Sequence, residues 1–224
     1  MPGTRVAERR GRTRDRVLAI SAASVVLVAG ITVPSLAAWT DTEWITGGVG
    51  NDAGVGASTF EVQQFAAGDT VWDDYETQPE ANVIDFSAQA VQLTPGDTVY
   101  GYVRLRTVAG SLGGDLTLGA DTSVVADSLE DALTYGARVM NDTTGCTAGS
   151  YASTGTELQA LGSALDASAG GTFSLAAAAD ESTPGVEQVV CFALTFPASF
   201  AGDDTLQGAT ASTVWHFDAV SVTA

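Results

Sequence analysis

The sequence predicts an all-β fold, a jelly-roll-like antiparallel β-sandwich with one or two short helices. Three observations carry this expectation: strict apolar/polar alternation in three segments, turn residues at short intervals between them, and few stretches with helical periodicity. In "TVYGYVRLR" (98–106), Val99, Gly101, Val103 and Leu105 share one face, and Tyr100, Tyr102, Arg104 and Arg106 share the other. In "VVCFALTF" (189–196), Val190, Phe192, Leu194 and Phe196 form an apolar face, from which Cys191 points away. In "TVWHFDAVSV" (213–222), Trp215, Phe217 and Ala219 oppose His216 and Asp218. Each pattern is that of a strand with one face on a core and one outside.

Weaker strand signals are "STFEVQQF" (58–65), "AQAVQL" (88–93), "DLTLGA" (115–120), "YGARVM" (135–140) and "TFSLAA" (172–177). "LTPGD" (93–97) places Pro-Gly at the centre of a type II turn, and "STPG" (182–185) reads the same way. One helix is predicted at "DSLEDAL" (127–133), where Ser128 and Asp131 have capping-box spacing, and a second at "ELQALGSAL" (157–165). Runs of short strands with such excursions point to a sandwich rather than a parallel α/β sheet.

The N-terminus reads as an export signal. Arg5, Arg9, Arg10, Arg12, Arg14 and Arg16 precede an apolar run of 17 residues from Val17 to Val33, diluted by Ser21, Ser24, Gly30 and Thr32. That run is short beside the roughly 20 residues of a membrane-spanning helix, so cleavage is expected over anchoring, with membrane contact only through the uncleaved signal. A small-x-small pattern, Ser35-Leu36-Ala37, places the cut between Ala37 and Ala38. The expected organisation is a signal peptide at 1–37, a tail and glycine-rich tether at 38–57, and a β-sandwich at 58–224. No sorting motif or apolar tail is read at the C-terminal end, so covalent wall attachment is not expected.

Beyond residue 37 the chain keeps three arginines and no lysine against 25 carboxylates, a net charge of −22. A surface so acidic repels nucleic acid and anionic lipid, which argues against both as partners. Its apolar content is still too high for a disordered chain. Cys146 and Cys191 are the only cysteines, and in an exported chain they are expected to form a structural disulfide.

Catalytic signals are sparse. The one histidine, His216, cannot supply an H-E-x-x-H zinc site, and the nucleophile-elbow, Walker and dinucleotide-binding motifs do not occur. His216 is expected to form a surface pair with Asp218. The acidic pairs Asp73-Asp74, Glu130-Asp131 and Asp203-Asp204 do not match an EF-hand calcium loop, and Asn141-Asp142-Thr143 is a short glycosylation-like pattern. No metal, cofactor or enzymatic activity is expected. The informative residues are Trp39, Trp44 and Ile45, carried by a tail (38–46) ahead of Gly47, Gly48, Gly50, Gly54 and Gly56. A glycine-rich tether of this length spans about 18 Å, so the tail can pack at home or dock into another molecule, and an open sheet edge would accept it.

The order "LAAWTDTEW", a glycine-rich gap, "ASTFEVQ" and then "LTPGDTVYGYVRLRTVAGSLGGDL" resembles the TasA/camelysin family, bacterial secreted matrix proteins with a SipW-type signal peptide. The likeness is greatest to actinobacterial members. It covers residues 17–120, and only the strand pattern extends it further. The resemblance implies SipW-dependent export, cleavage by a dedicated signal peptidase between Ala37 and Ala38, and self-association into extracellular biofilm-matrix fibres. In such fibres residues 38–46, with Trp39, Trp44 and Ile45, would be the donor strand that completes a neighbour's sheet. The longer glycine gap, the lysine-free surface and the two cysteines depart from the family pattern. Peptidase activity attributed to camelysin-type members is not carried over, because its residues are missing. The competing expectation is a monomeric, adhesin-like secreted or surface binding module using Tyr100, Tyr102, Trp72 or Tyr75.

Overall fold

The computed structural model describes residues 57–222. Eight strands form two antiparallel sheets: β1 (Val62–Ala66), β2 (Thr98–Thr107), β3 (Gly114–Ala120), β4 (Thr134–Met140), β5 (Thr156–Ala164), β6 (Thr172–Leu175), β7 (Gln188–Thr195) and β8 (Trp215–Ser221). The larger sheet has the order β1-β2-β7-β4-β5 and the smaller one β6-β3-β8. The expected all-β sandwich is present, its eight strands divided five and three.

Alternation places the core. Along β2 the residues Val99, Gly101, Val103, Leu105 and Thr107 are buried while the intervening ones are half-exposed. Its partner β7 supplies Val190, Phe192 and Leu194 to the same core, with Phe196 just beyond the strand. From the smaller sheet Trp215 and Phe217 meet Phe192 at ring-centroid distances of 5.0 and 6.4 Å. Trp215 also lies 5.2 Å from Tyr135, whose hydroxyl donates to the Ala167 carbonyl and is pushed up to about 12 chiefly by burial.

The opposite face of β7 is buried too, because residues 141–155 fold back over it. Cys146 is bonded to Cys191 with Cα atoms 5.4 Å apart, and Tyr151, Met140, Val189 and Ala193 complete a second apolar cluster. The expected disulfide thus fastens a surface excursion to the central strand.

The turn before β2 matches its expectation: Asp97 N–H donates to the Thr94 carbonyl at 2.9 Å, and Gly96 has φ +104°, the conformation a type II turn demands of its third residue. Ser128 caps α1 (Leu129–Ala132) by accepting from the Asp131 N–H, the spacing expected of the first helix. Three other expectations are corrected. Ala88–Gln92 is a 3-10 turn instead of a strand. Four of its five residues are Ala or Gln, which favour helical backbone, and Val91 is left exposed with no neighbouring strand to cover it. The expected second helix is strand β5. There the edge of β4 overrides helix propensity, Leu158 is buried, and Gly162 at φ +94° is incompatible with a helix. Within "STPG", Gly185 is not left-handed; the reverse turn lies earlier, where Thr183 N–H reaches the Asp180 carbonyl at 3.3 Å.

Candidate functional site

A sandwich exposes four strand edges, and this one treats them differently. At the outer edge of β1, Gln64 and Asp73 exchange backbone hydrogen bonds of 2.9 and 3.3 Å, and the Asp69 carboxylate accepts from Ala66 N–H at 2.7 Å. β5 is interrupted by register shifts against β4, and β6 is only four residues long. These are ordinary ways of blunting an edge.

β8 has none of these features. Its seven residues pair with β3 in unbroken register from Ser221↔Gly114 to Trp215↔Ala120. Asp121 N–H donates to the Val214 carbonyl and Val222 N–H to the Gly113 carbonyl, each at 2.9 Å. Even-numbered residues therefore face β3. Trp215, Phe217 and Ala219 direct their N–H and C=O groups to the other side, where no backbone partner is found among the described residues. Trp215 and Phe217 are half-buried, but Ala219, on the same inward face, is exposed.

The opening beyond that edge is a cleft of about 730 Å³, bordered by residues 60–64 at β1, by residues 74–86 and by residues 213–219. Val103, Leu105 and Phe192 form its apolar floor. A strand seated there would meet free backbone groups along one side and core side chains beneath.

The rim is acidic. The His216 imidazole places Nδ1 2.6 Å from Asp121 and Nε2 3.4 Å from Asp218, with all three side chains substantially exposed. The Asp218 contact is legible in strand alternation; Asp121 comes from the loop after β3 and is not. Exposed pairs of this kind are worth little to stability, and neither carboxylate stands beside a nucleophile. Among the described residues, no three His, Cys, Asp or Glu side chains converge to hold a metal ion.

The aromatic residues considered for a binding surface are largely engaged. Tyr100 lies 5.5 Å from Tyr151 and, with Tyr102, packs beneath the disulfide-bound excursion. Trp72 carries the Arg106 guanidinium at 4.0 Å and that of Arg104 at 5.1 Å, while Arg104 also covers Phe65 at 4.0 Å. Only Tyr75 borders the cleft, its hydroxyl raised by burial and by Asp69 and Asp73. Ala37, Ala38, Trp39, Trp44 and Ile45 lie outside the described residues. Two things escaped sequence reasoning: that β8 is an open edge, and that residues 74–86 border it. No protein-family model matches this chain, nor does any curated protein, so its functional reading rests on this geometry.

Proposed function

We propose that the exported chain is the subunit of an extracellular matrix fibre, in which residues 38–46 of one copy add as a strand to β8 of the next. The observation that supports this reading is the β8 edge, whose outward backbone groups find no backbone partner among the described residues and which alone of the four edges has no bulge, no hydrogen-bonded turn along it and no shortened strand. Nine extended residues reach about 30 Å and a seven-residue strand about 23 Å, so the tail is long enough to line β8. Main-chain hydrogen bonds would supply affinity, and alternate side chains entering the apolar cleft would supply specificity. In this reading the chain is secreted through its N-terminal signal, and Ala37 and Ala38 flank the cut.

Copies at −22 repel one another, so association strengthens with salt and with protonation toward pH 4. The test is negative-stain electron microscopy of protein starting at Ala38, beside protein starting at Gly47, at pH 7.5 and pH 4. Filaments from the longer form alone are expected. Monodisperse particles from both would overturn the fibre reading in favour of a secreted binding domain.

A further inference from the structure

The cleft beside β8 is not bordered by strands alone. After β1, residues 82–86, which belong to no helix or strand, line it through Asn82, Val83, Ile84 and Phe86, and Ile84 and Phe86 pack against the core. They cross the inner face of β2 at Gly101, where an added Cβ would stand 2.6 Å from Ile84 Cγ2 and 2.9 Å from the Asp85 carbonyl oxygen. Glycine is unfavourable in mid-strand, and its presence here marks a close backbone approach.

This segment fills space without forming a sheet. None of residues 82–86 makes a backbone–backbone hydrogen bond among the described residues; Val83 N–H turns instead to the Asn82 side chain. Its attachments are few: Asn82 Nδ2 donates to Asp69 at 2.7 Å, and the Phe86 ring lies 6.3 Å from that of Trp215. Val83 is 77% exposed. At the end of the segment Ser87 has φ +74° and ψ 167°, a conformation that glycine ordinarily occupies. Trp215 Nε1, on the same cleft, is buried without a hydrogen-bond acceptor.

We propose that residues 82–86 are a displaceable strap, holding the place of a fourth strand in the small sheet until an extended segment of a second copy takes it. The incoming segment is residues 38–46, whose apolar Trp39 and Ile45 lie an even number of residues apart and so fall on one face of a strand. On arrival its backbone bonds to Trp215, Phe217 and Ala219, and Ile84 withdraws from the core. The inference rests on the fibre reading and adds to it a gate within the accepting subunit.

The experiment uses the chain from Ala38, before and after assembly. Hydrogen exchange reads the amides of Trp215, Phe217 and Ala219, and an Ile84→Cys variant reports the strap by its alkylation rate without reductant. Expected on assembly are protection of those three amides and a rise of at least tenfold in the alkylation rate of the introduced thiol, with Asn82→Ala assembling several-fold faster than the parent. Phe86→Leu, which keeps an apolar side chain but loses the ring contact with Trp215, serves as a second loosened variant if Asn82→Ala folds poorly. Filaments with protected β8 amides but unchanged alkylation and unchanged assembly rates overturn the strap and leave the fibre reading intact. Filaments with unprotected β8 amides overturn both the strap and this docking edge. Absence of filaments from every version removes the fibre reading and the strap with it.

Discussion

The outer face of the large sheet and the open edge of the small one each lie beside a segment that belongs to neither sheet, residues 141–155 and 82–86, yet the two segments are held in opposite ways. Over β7 the excursion of residues 141–155 is drawn down by Cys146–Cys191, and Val189, Cys191 and Ala193 are almost fully buried. Beside β8 the covering segment is held by a side-chain hydrogen bond and two half-buried apolar residues, and Ala219 remains exposed. One cover is held covalently and the other by a side-chain hydrogen bond and packing. Stability concentrates where a cover cannot leave, and capacity for binding where it can, as expected when local opening free energies differ across a fold.

The largest test of this contrast removes the covalent side. A Cys146→Ala/Cys191→Ala variant frees a 45-residue loop in the unfolded chain. The chain-entropy model puts the loss at about 4 kcal/mol, which for a domain of this size lowers Tm by roughly 10 °C. Thermal melting checks it. If the two regions are independent, assembly of the folded variant well below its Tm is unchanged. A variant that melts normally would mean that packing alone secures the excursion.

Next in size is Gly101→Ala. The added methyl meets Ile84 and the Asp85 carbonyl, and overpacking of this kind typically costs about 1–3 kcal/mol. Because the displaced group is the strap, lower stability is expected together with faster assembly, an unusual combination that denaturant melts and light scattering would reveal. Slower assembly would show that the segment supports the cleft. Smaller still, Ser87→Gly relieves the left-handed serine and is expected to stabilise the chain by about 1 kcal/mol. It would slow assembly by holding the strap in place.

Much of this architecture can be read from the residues before any coordinates, and the boundary of legibility has a physical basis. Strands β2 and β8 are visible because residues of contrasting polarity alternate along them, as in Tyr100, Val103, Trp215 and His216, whereas β7, buried on both faces, is visible by the apolar run that includes Val190, Phe192 and Leu194. β5 reads as a helix because Glu157, Leu158, Gln159 and Ala160 favour helices, and only the neighbouring β4 decides against them. The cleft is illegible for a different reason. Whether a strand lies at an edge depends on sheet order, and nothing in "TVWHFDAVSV" says that β3 is its single partner. The strap has no periodic signature, since Ile84 and Phe86 are placed by the gap at Gly101. The tail at 38–46, proposed as a donor strand, is read from composition and resemblance and lies outside the described residues.

The smallest expected effect concerns acid, and it sharpens the comparison by separating assembly from stability. Asp97 is held below its ordinary carboxylate range by the Thr94 N–H and hydroxyl, Asp142 and Asp203 chiefly by the hydroxyls of Thr144 and Thr205, and Asp180 chiefly by that of Ser182. All four sit in turns at the surface. With native values below the unfolded one, near 3.9, these carboxylates contribute stability that is complete above about pH 4 to 5 and is lost as pH falls through their native values. Relief of the −22 charge proceeds over a higher range, as ordinary surface carboxylates begin to take up protons on the approach to pH 4. The chain should therefore assemble faster from pH 7.5 toward pH 4 with little change in Tm, and melt earlier only below about pH 4. Melting and light scattering from pH 3 to 7.5 at fixed ionic strength read both trends. A Tm that declines steadily from pH 6 would instead tie stability to the same charge relief that drives assembly, and the two would no longer be separable by pH.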